Sequence, residues 1–169
     1  MTKKYRVLFL CRGNSARSII AEALLRELAG HRFEAFSAGA EPAARVHPLA
    51  LAQLRAGISD LERLSPKSWL EFTSDWAPQM DLIIAMDGCV EEYHAPVFPG
   101  APPFFRWNFA DPLAEGMTQV ERARSFERVF WQILHRVTLF MELPGYAAAP
   151  EPLTAVEPDS CGNELACGG

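Results

Sequence analysis

Cys11 and Arg17 stand six positions apart in the string Cys11-Arg12-Gly13-Asn14-Ser15-Ala16-Arg17-Ser18, directly after the apolar run Val7-Leu8-Phe9-Leu10. A β-prone run that ends in such a loop and continues into the helical pattern Ser18 to Ala29 reads as strand, loop, helix. In that arrangement the loop amides and the helix N-terminus converge on one point, a site suited to a tetrahedral anion. Arg17 adds a planar fork of donors that can hold two oxygens of that anion at once. Cys11 supplies the nucleophile. Positive neighbours and a helix N-terminus are expected to keep it largely thiolate at neutral pH, with a pKa of roughly 3.5–7.5. Gly13 permits close backbone approach, Asn14 can tie the loop through side-chain to backbone bonds, and Ser18 can donate to the thiolate. The expected anion cradle is therefore Arg12, Gly13, Asn14, Ser15, Ala16, Arg17 and Ser18.

A thiolate in that position can attack the central atom of a tetrahedral oxyanion while Arg17 and the loop amides stabilise the charge on the equatorial oxygens. The departing oxygen then needs a proton. Asp111 is the donor best placed by sequence, on a loop after the fourth strand that can reach over the sheet edge, with Pro112 stiffening the approach. A turn or helix cap is the other reading of Asp111. His31, His47, His94 and His135 are scattered without a metal-ligand or nucleophile-pairing pattern, so no metal is expected. Phe105 and Trp107 precede Asp111 and read either as pocket walls or as strand packing.

The elements that must position this loop follow from periodicity. Runs at Val7–Leu10, Phe33–Ser37, Leu82–Ala85 and Phe104–Trp107 alternate with helical patterns, which gives an α/β fold with a parallel sheet and crossover helices, a three-layer sandwich. Ligands gather at strand C-terminal ends in such sheets, and Cys11 lies at one. Pro48 to Ala56 reads as a helix closed by Gly57, and a second short helix is expected near Ser65-Pro66. Thr118-Gln119-Val120-Glu121 has capping-box spacing and opens the last helix. Val129, Phe130, Ile133, Leu134, Val137, Phe140 and Met141 form its apolar stripe, and Ile20, Ala23, Leu24 and Leu28 that of the first helix.

The 169 residues fit one domain. Of the net charge of −5, four negative charges come from Glu151, Glu157, Asp159 and Glu164, in a C-terminal stretch without Lys or Arg. The remainder is close to neutral, which offers nothing to nucleic acid or an anionic membrane. No run approaches the ~18 apolar residues of a membrane span. Without a signal-type N-terminus, the expected location is cytoplasmic, where thiols stay reduced and four cysteines point to nucleophilic or redox chemistry. Residues 146–169, rich in Ala, Pro, Glu and Gly, read as a flexible acidic tail bearing Cys161 and Cys167, and residues 1–145 as the functional domain.

The loop resembles the active-site loop of the low-molecular-weight protein tyrosine phosphatase superfamily, and Asn14-Ser15-Ala16-Arg17-Ser18 looks most like its arsenate reductase branch. Ser37-Ala38-Gly39, Glu41-Pro42, Val46-His47-Pro48, Leu54, Gly57-Ile58 and Lys67-Ser68 follow in that branch's order, and Asp111-Pro112 sits where the family keeps its acid. The resemblance implies a flavodoxin-like four-stranded sheet of order 2-1-3-4. It also implies one of two reactions: hydrolysis of a cysteinyl-phosphate by water, or attack of a second thiol on an arsenylated cysteine, releasing arsenite and leaving a disulfide. The resolving cysteines usual in that branch fall at Met86 and Ala95 here, so Cys89 becomes the expected resolving thiol. Cys161 and Cys167 stand as a redox relay, against an incidental tail disulfide or adventitious metal binding. The leading expectation is an arsenate reductase with catalytic Cys11, Arg17, Asp111 and Cys89. It would hold no bound cofactor, and an external thiol such as thioredoxin, glutaredoxin or glutathione would reset it. The alternatives are a phosphatase acting on aryl phosphate esters, and a thiol redox sensor or oxyanion-binding protein without turnover.

Overall fold

The computed structural model describes residues 3–143, so the expected tail and its Cys161 and Cys167 lie outside the described residues. Four parallel strands form one sheet in the order β2-β1-β3-β4: β1 Tyr5–Cys11, β2 Phe33–Gly39, β3 Leu82–Ala85 and β4 Phe104–Arg106. The expected order 2-1-3-4 is met. β1 runs through the centre, paired with β2 from Tyr5 to Cys11 and with β3 from Val7 to Leu10, so Cys11 is the last paired residue of the innermost strand.

Side chains alternate along β1 between two cores, as a strand buried on both faces requires. Val7 and Phe9 join one cluster with Ile84, Phe126, Val129, Ile133 and Val137, under α1 (Arg17–Ala29), α2 (Pro48–Leu54) and α4 (Gln119–Met141). Leu8 and Leu10 join the other with Ile83, Trp69, Phe72 and Phe98, covered by the 3-10 turn Trp69–Phe72 and by the four-residue α3 (Cys89–Glu92), whereas a second 3-10 turn, Leu61–Arg63, packs Leu61 against the first core. The three layers are thus unequal, with long helices on one face and short turns on the other.

Several boundaries differ from the sequence reading for physical reasons. The helix expected near Ser65-Pro66 starts later, as a 3-10 turn, because the Ser68 hydroxyl accepts the Leu70 N–H and makes Ser68 the cap. α2 ends at Leu54 rather than Ala56, its chain closing through Gly57 and Ile58 N–H bonds to the Leu54 carbonyl. Leu28 is 43% exposed, having rotated off the apolar stripe of α1. α4 carries the full capping box: Thr118 Oγ1 accepts from Glu121 N–H, and Glu121 returns the bond to Thr118 N–H. Trp107 is a core residue, stacked among Phe9, Phe109 and Phe140, and walls no pocket.

Candidate active site

The loop between β1 and α1 is held from outside by its carbonyls. Glu41, Ala43 and His47 N–H groups donate to the carbonyls of Arg12, Gly13 and Ser15, each at 2.9 Å. With these carbonyls bonded outward, the amides of Gly13 to Ala16 donate to no acceptor among the described residues and stand available to an anion. Asn14 takes the turn with φ of 47° and is fully buried. Its Nδ2 donates to Ser18 Oγ at 2.8 Å and its Oδ1 accepts from Lys67 N–H at 2.9 Å, which anchors the loop to the chain beyond β2. Gly13 has room for a side chain; the steric requirement lies at Gly39, where a Cβ would come within 2.7 Å of the Arg12 carbonyl and 3.0 Å of Asn14.

Cys11 Sγ lies 2.8 Å from Ser18 Oγ at the floor of a cleft of about 240 Å³. The cleft is lined by residues 11 to 17 of the loop together with Glu41, Asp111 and Leu113. Arg17 is buried, with Nη1 donating to the Phe109 carbonyl at 3.2 Å and Nη2 paired to Asp87 Oδ2 at 2.8 Å and to Asp111 Oδ1 at 3.8 Å. Cys11, Arg17 and Asp111 are therefore brought together as expected. Asp111 also caps its own turn, Oδ1 accepting from Leu113 N–H at 2.9 Å, so the cap reading and the acid reading describe the same side chain. Arg12 points away from the floor, paired with Glu41 at 3.4 Å and lying over the Tyr93 ring.

Cys11 departs from expectation in its protonation. Burial pushes its thiol up, while the Ser18 hydroxyl, the Arg17 charge and the Ser18 amide pull it down and Asp87 opposes them. The Arg17 charge that would favour the thiolate is shared with Asp87, so desolvation wins in the empty cleft. Cys89 sits on α3, 1% exposed, in the second core beside Leu8, Leu10 and Ile83 rather than in the cleft wall. Burial pushes its thiol well above the usual range, aided by a hydrogen bond to the Asp87 carboxylate and by the charges of Asp87 and Cys11. Cys11 and Cys89 are both free thiols.

Asp87 and Phe109 were given no role from sequence, and Gly39 and Lys67 entered only as part of the resemblance, without a role. Only Asp87 carried a local signal, its position two residues ahead of Cys89, where an Asx bond caps a helix. Deeper in the fold, the buried Glu22 carboxyl accepts from Ser37 Oγ at 2.9 Å, and burial raises its pKa. No group of three or more metal-ligating side chains occurs among the described residues. No helix there is long and apolar enough to cross a membrane. A larger groove of about 510 Å³ runs beside α3 and β4, past Val90, Val97, Phe98 and Phe104, away from the loop.

A parallel sheet that delivers a cysteine into a backbone cradle opposite a buried arginine and a half-exposed carboxylate defines a thiol-dependent oxyanion enzyme of phosphatase architecture. The family described as low molecular weight phosphotyrosine protein phosphatase matches residues 6–99, and the chain belongs to it, within the arsenate reductase branch. An arsenate reductase of Bacillus licheniformis is 34% identical over 146 residues, covering 84% of this chain and 98% of that protein. The structure of an arsenate reductase from Archaeoglobus fulgidus is 30% identical with a TM-score of 0.60, over 79% of this chain and 97% of the other. A thioredoxin-dependent arsenate reductase of Corynebacterium glutamicum is 28% identical with a TM-score of 0.60, over 83% of this chain, which spans 62% of that longer one.

Proposed function

We propose that this protein is an arsenate reductase in which Cys11 forms the arsenylated intermediate and Cys89 resolves it. The observation that carries the reading is the pair of free thiols placed either side of Asp87, one at the cradle floor and one on α3, with the charge of Cys11 and that of Asp87 both acting on Cys89. Arsenate enters the cleft, its oxygens held by the amides of Gly13 to Ala16 and by the Arg17 fork. Cys11 attacks arsenic, and Asp111 gives a proton to the departing oxygen, which leaves as water. Cys89 then attacks Cys11 Sγ, and the sulfur–arsenic electron pair stays on arsenic as arsenite departs.

The cleft lining supports arsenate over an aryl ester. Leu113, Glu41 and Arg12 surround the loop, and among the described residues no aromatic side chain lines the cleft to receive a phenyl ring. A Cys11 to Cys89 disulfide would be buried on both sides, so its reduction calls on an external thiol. Thioredoxin fits that role by analogy with the thioredoxin-dependent neighbour, and glutaredoxin or glutathione stand as alternatives. Cys161 and Cys167 extend the same reading as a relay that carries the disulfide outward, with residues 1–145 as the catalytic domain.

The test is a single turnover of fully reduced protein with arsenate, with arsenite quantified and cysteine peptides mapped by mass spectrometry. Arsenite in proportion to a Cys11–Cys89 bond is expected, and Cys89→Ser should lose arsenite release while keeping the Cys11 nucleophile. Absence of arsenite, beside rapid hydrolysis of an aryl phosphate, would transfer the assignment to a phosphatase.

A further inference from the structure

We propose that Asp87 is the proton acceptor for the Cys89 thiol in the resolving step, which rests on the reading of Cys89 as the resolving thiol. Asp87 lies between β3 and α3, and its two oxygens face different parts of the machinery. Oδ2 pairs with Arg17 Nη2 at 2.8 Å and accepts the Arg12 N–H at 3.2 Å; Oδ1 accepts the Cys89 N–H at 2.9 Å. That backbone bond sets the Cys89 side chain beside the same carboxylate, whose charge is among the causes that raise the thiol, and the Asp87 side chain is 16% exposed. One carboxylate thus touches the anion clamp, the cradle backbone and the second nucleophile.

The groups facing Asp87 are Arg17 from α1, Cys11 from the end of β1, and Cys89 from α3, with Asp111 reached across Arg17. The Arg17 charge is shared between Asp87 and the more distant Asp111, and burial holds Cys89 as a neutral thiol. An arsenyl group on Cys11 offers the guanidinium oxygens of its own, which frees the Asp87 carboxylate from part of that pairing. As the Cys89 sulfur bonds to Cys11 Sγ, its proton passes to Asp87, the carboxylate already bonded to its backbone N–H. The Cys11 sulfur–arsenic bond breaks with its electron pair going to arsenic, so As(V) becomes As(III) and the two thiols become one disulfide. The proton on Asp87 is then available to an arsenite oxygen as it leaves.

The acceptor step can be read without arsenate. Hydrogen peroxide converts Cys11 to a sulfenic acid, which either condenses with Cys89, expelling water, or is trapped by dimedone. The ratio of disulfide to dimedone adduct reports the second step alone, in full-length protein carrying Cys161→Ser and Cys167→Ser. Asp87→Asn can keep the bond to the Cys89 N–H but cannot take a proton, so that ratio should fall at least about tenfold at neutral pH and recover as alkali generates thiolate. Asp87→Ser, which also caps α3, should behave alike and serves if the Asn variant misfolds. A ratio unchanged or raised in both variants would overturn the assignment and make Asp87 a mere restraint on the thiol. A loss that alkali does not restore would overturn it in favour of a structural role. Should peroxide yield the Cys11–Cys89 bond while arsenate yields no arsenite, the reductase reading fails and the Asp87 assignment is still judged by the ratio.

Discussion

Ser18 Oγ accepts a hydrogen bond from Asn14 Nδ2 and lies beside Cys11 Sγ, both contacts being 2.8 Å. Its own proton is therefore available to the sulfur once Cys11 becomes a thiolate. Ser18→Ala should raise the pH at which iodoacetamide alkylates Cys11 by about one to two units, the worth of one hydrogen bond to a charged group. An unmoved profile would show that Arg17 and the helix amides alone set the thiol. Gly39→Ala acts differently, because its Cβ meets the Arg12 carbonyl and Asn14 rather than the sulfur. Overpacking there should cost about 1–3 kcal/mol in denaturant unfolding and weaken phosphate binding at the same time. Cys11, Arg17 and Ser18 could be picked out as candidates because a nucleophile and its anion clamp have fixed chemical types at short spacing, and Asp111 by its place on the loop after the fourth strand. Asp87 could not, since its partners come from α1, the loop and α3, and only folding brings them together. The upward direction of the Cys11 shift was not legible for a related reason: a sequence displays the cation beside a thiol but neither the burial that desolvates it nor the carboxylate that shares the cation.

At the scale of elements, α2 and α4 meet at His47. The ring's Nδ1 accepts the Leu49 N–H as the α2 cap, the ring stacks on Phe126 of α4, and the backbone N–H holds the Ser15 carbonyl. Burial, Arg122 and Arg45 push the His47 pKa below its ordinary value of about 6.5. The folded state then binds fewer protons than the unfolded one, so stability is complete above the ordinary value and declines as pH falls through it toward the lower folded value. His47→Asn retains a capping oxygen that does not titrate. Its melting temperature should depend less on pH across that window than the native chain's; parallel curves would remove His47 from the account. Thr118→Ala breaks the capping box of α4 and should cost about 1 kcal/mol, measurable as a lowered denaturation midpoint with an unchanged slope. Long periodic elements, α1 and α4 and the four strands, could be read from sequence because their burial repeats. The turn Leu61–Arg63 and α3 could not, being too short to show a period, and the turn Trp69–Phe72 was expected a few residues early because its cap at Ser68 was not recognised.

For the whole molecule, the sheet gathers the chemistry at one end while two unequal cores carry the stability. Ile133→Ala, in the fully buried α4 face, should cost about 2–5 kcal/mol and leave the cleft chemistry intact per folded molecule. The proposed boundary after residue 145 predicts that a chain truncated there keeps its melting temperature and its Cys11–Cys89 chemistry, with any loss confined to turnover driven by an external reductant. A destabilised truncation would move the boundary. The cradle itself consists of main-chain amides whose carbonyls are fastened outward by Glu41, Ala43 and His47. Peptide groups in that arrangement respond to charge and tetrahedral shape, which arsenate and phosphate share. Phosphate is thus a competitive ligand by construction, and the arsenate concentration needed for half-maximal rate rises in step with ambient phosphate. A cell starved of phosphate would run this enzyme on less arsenate than a replete one, with no change in the protein.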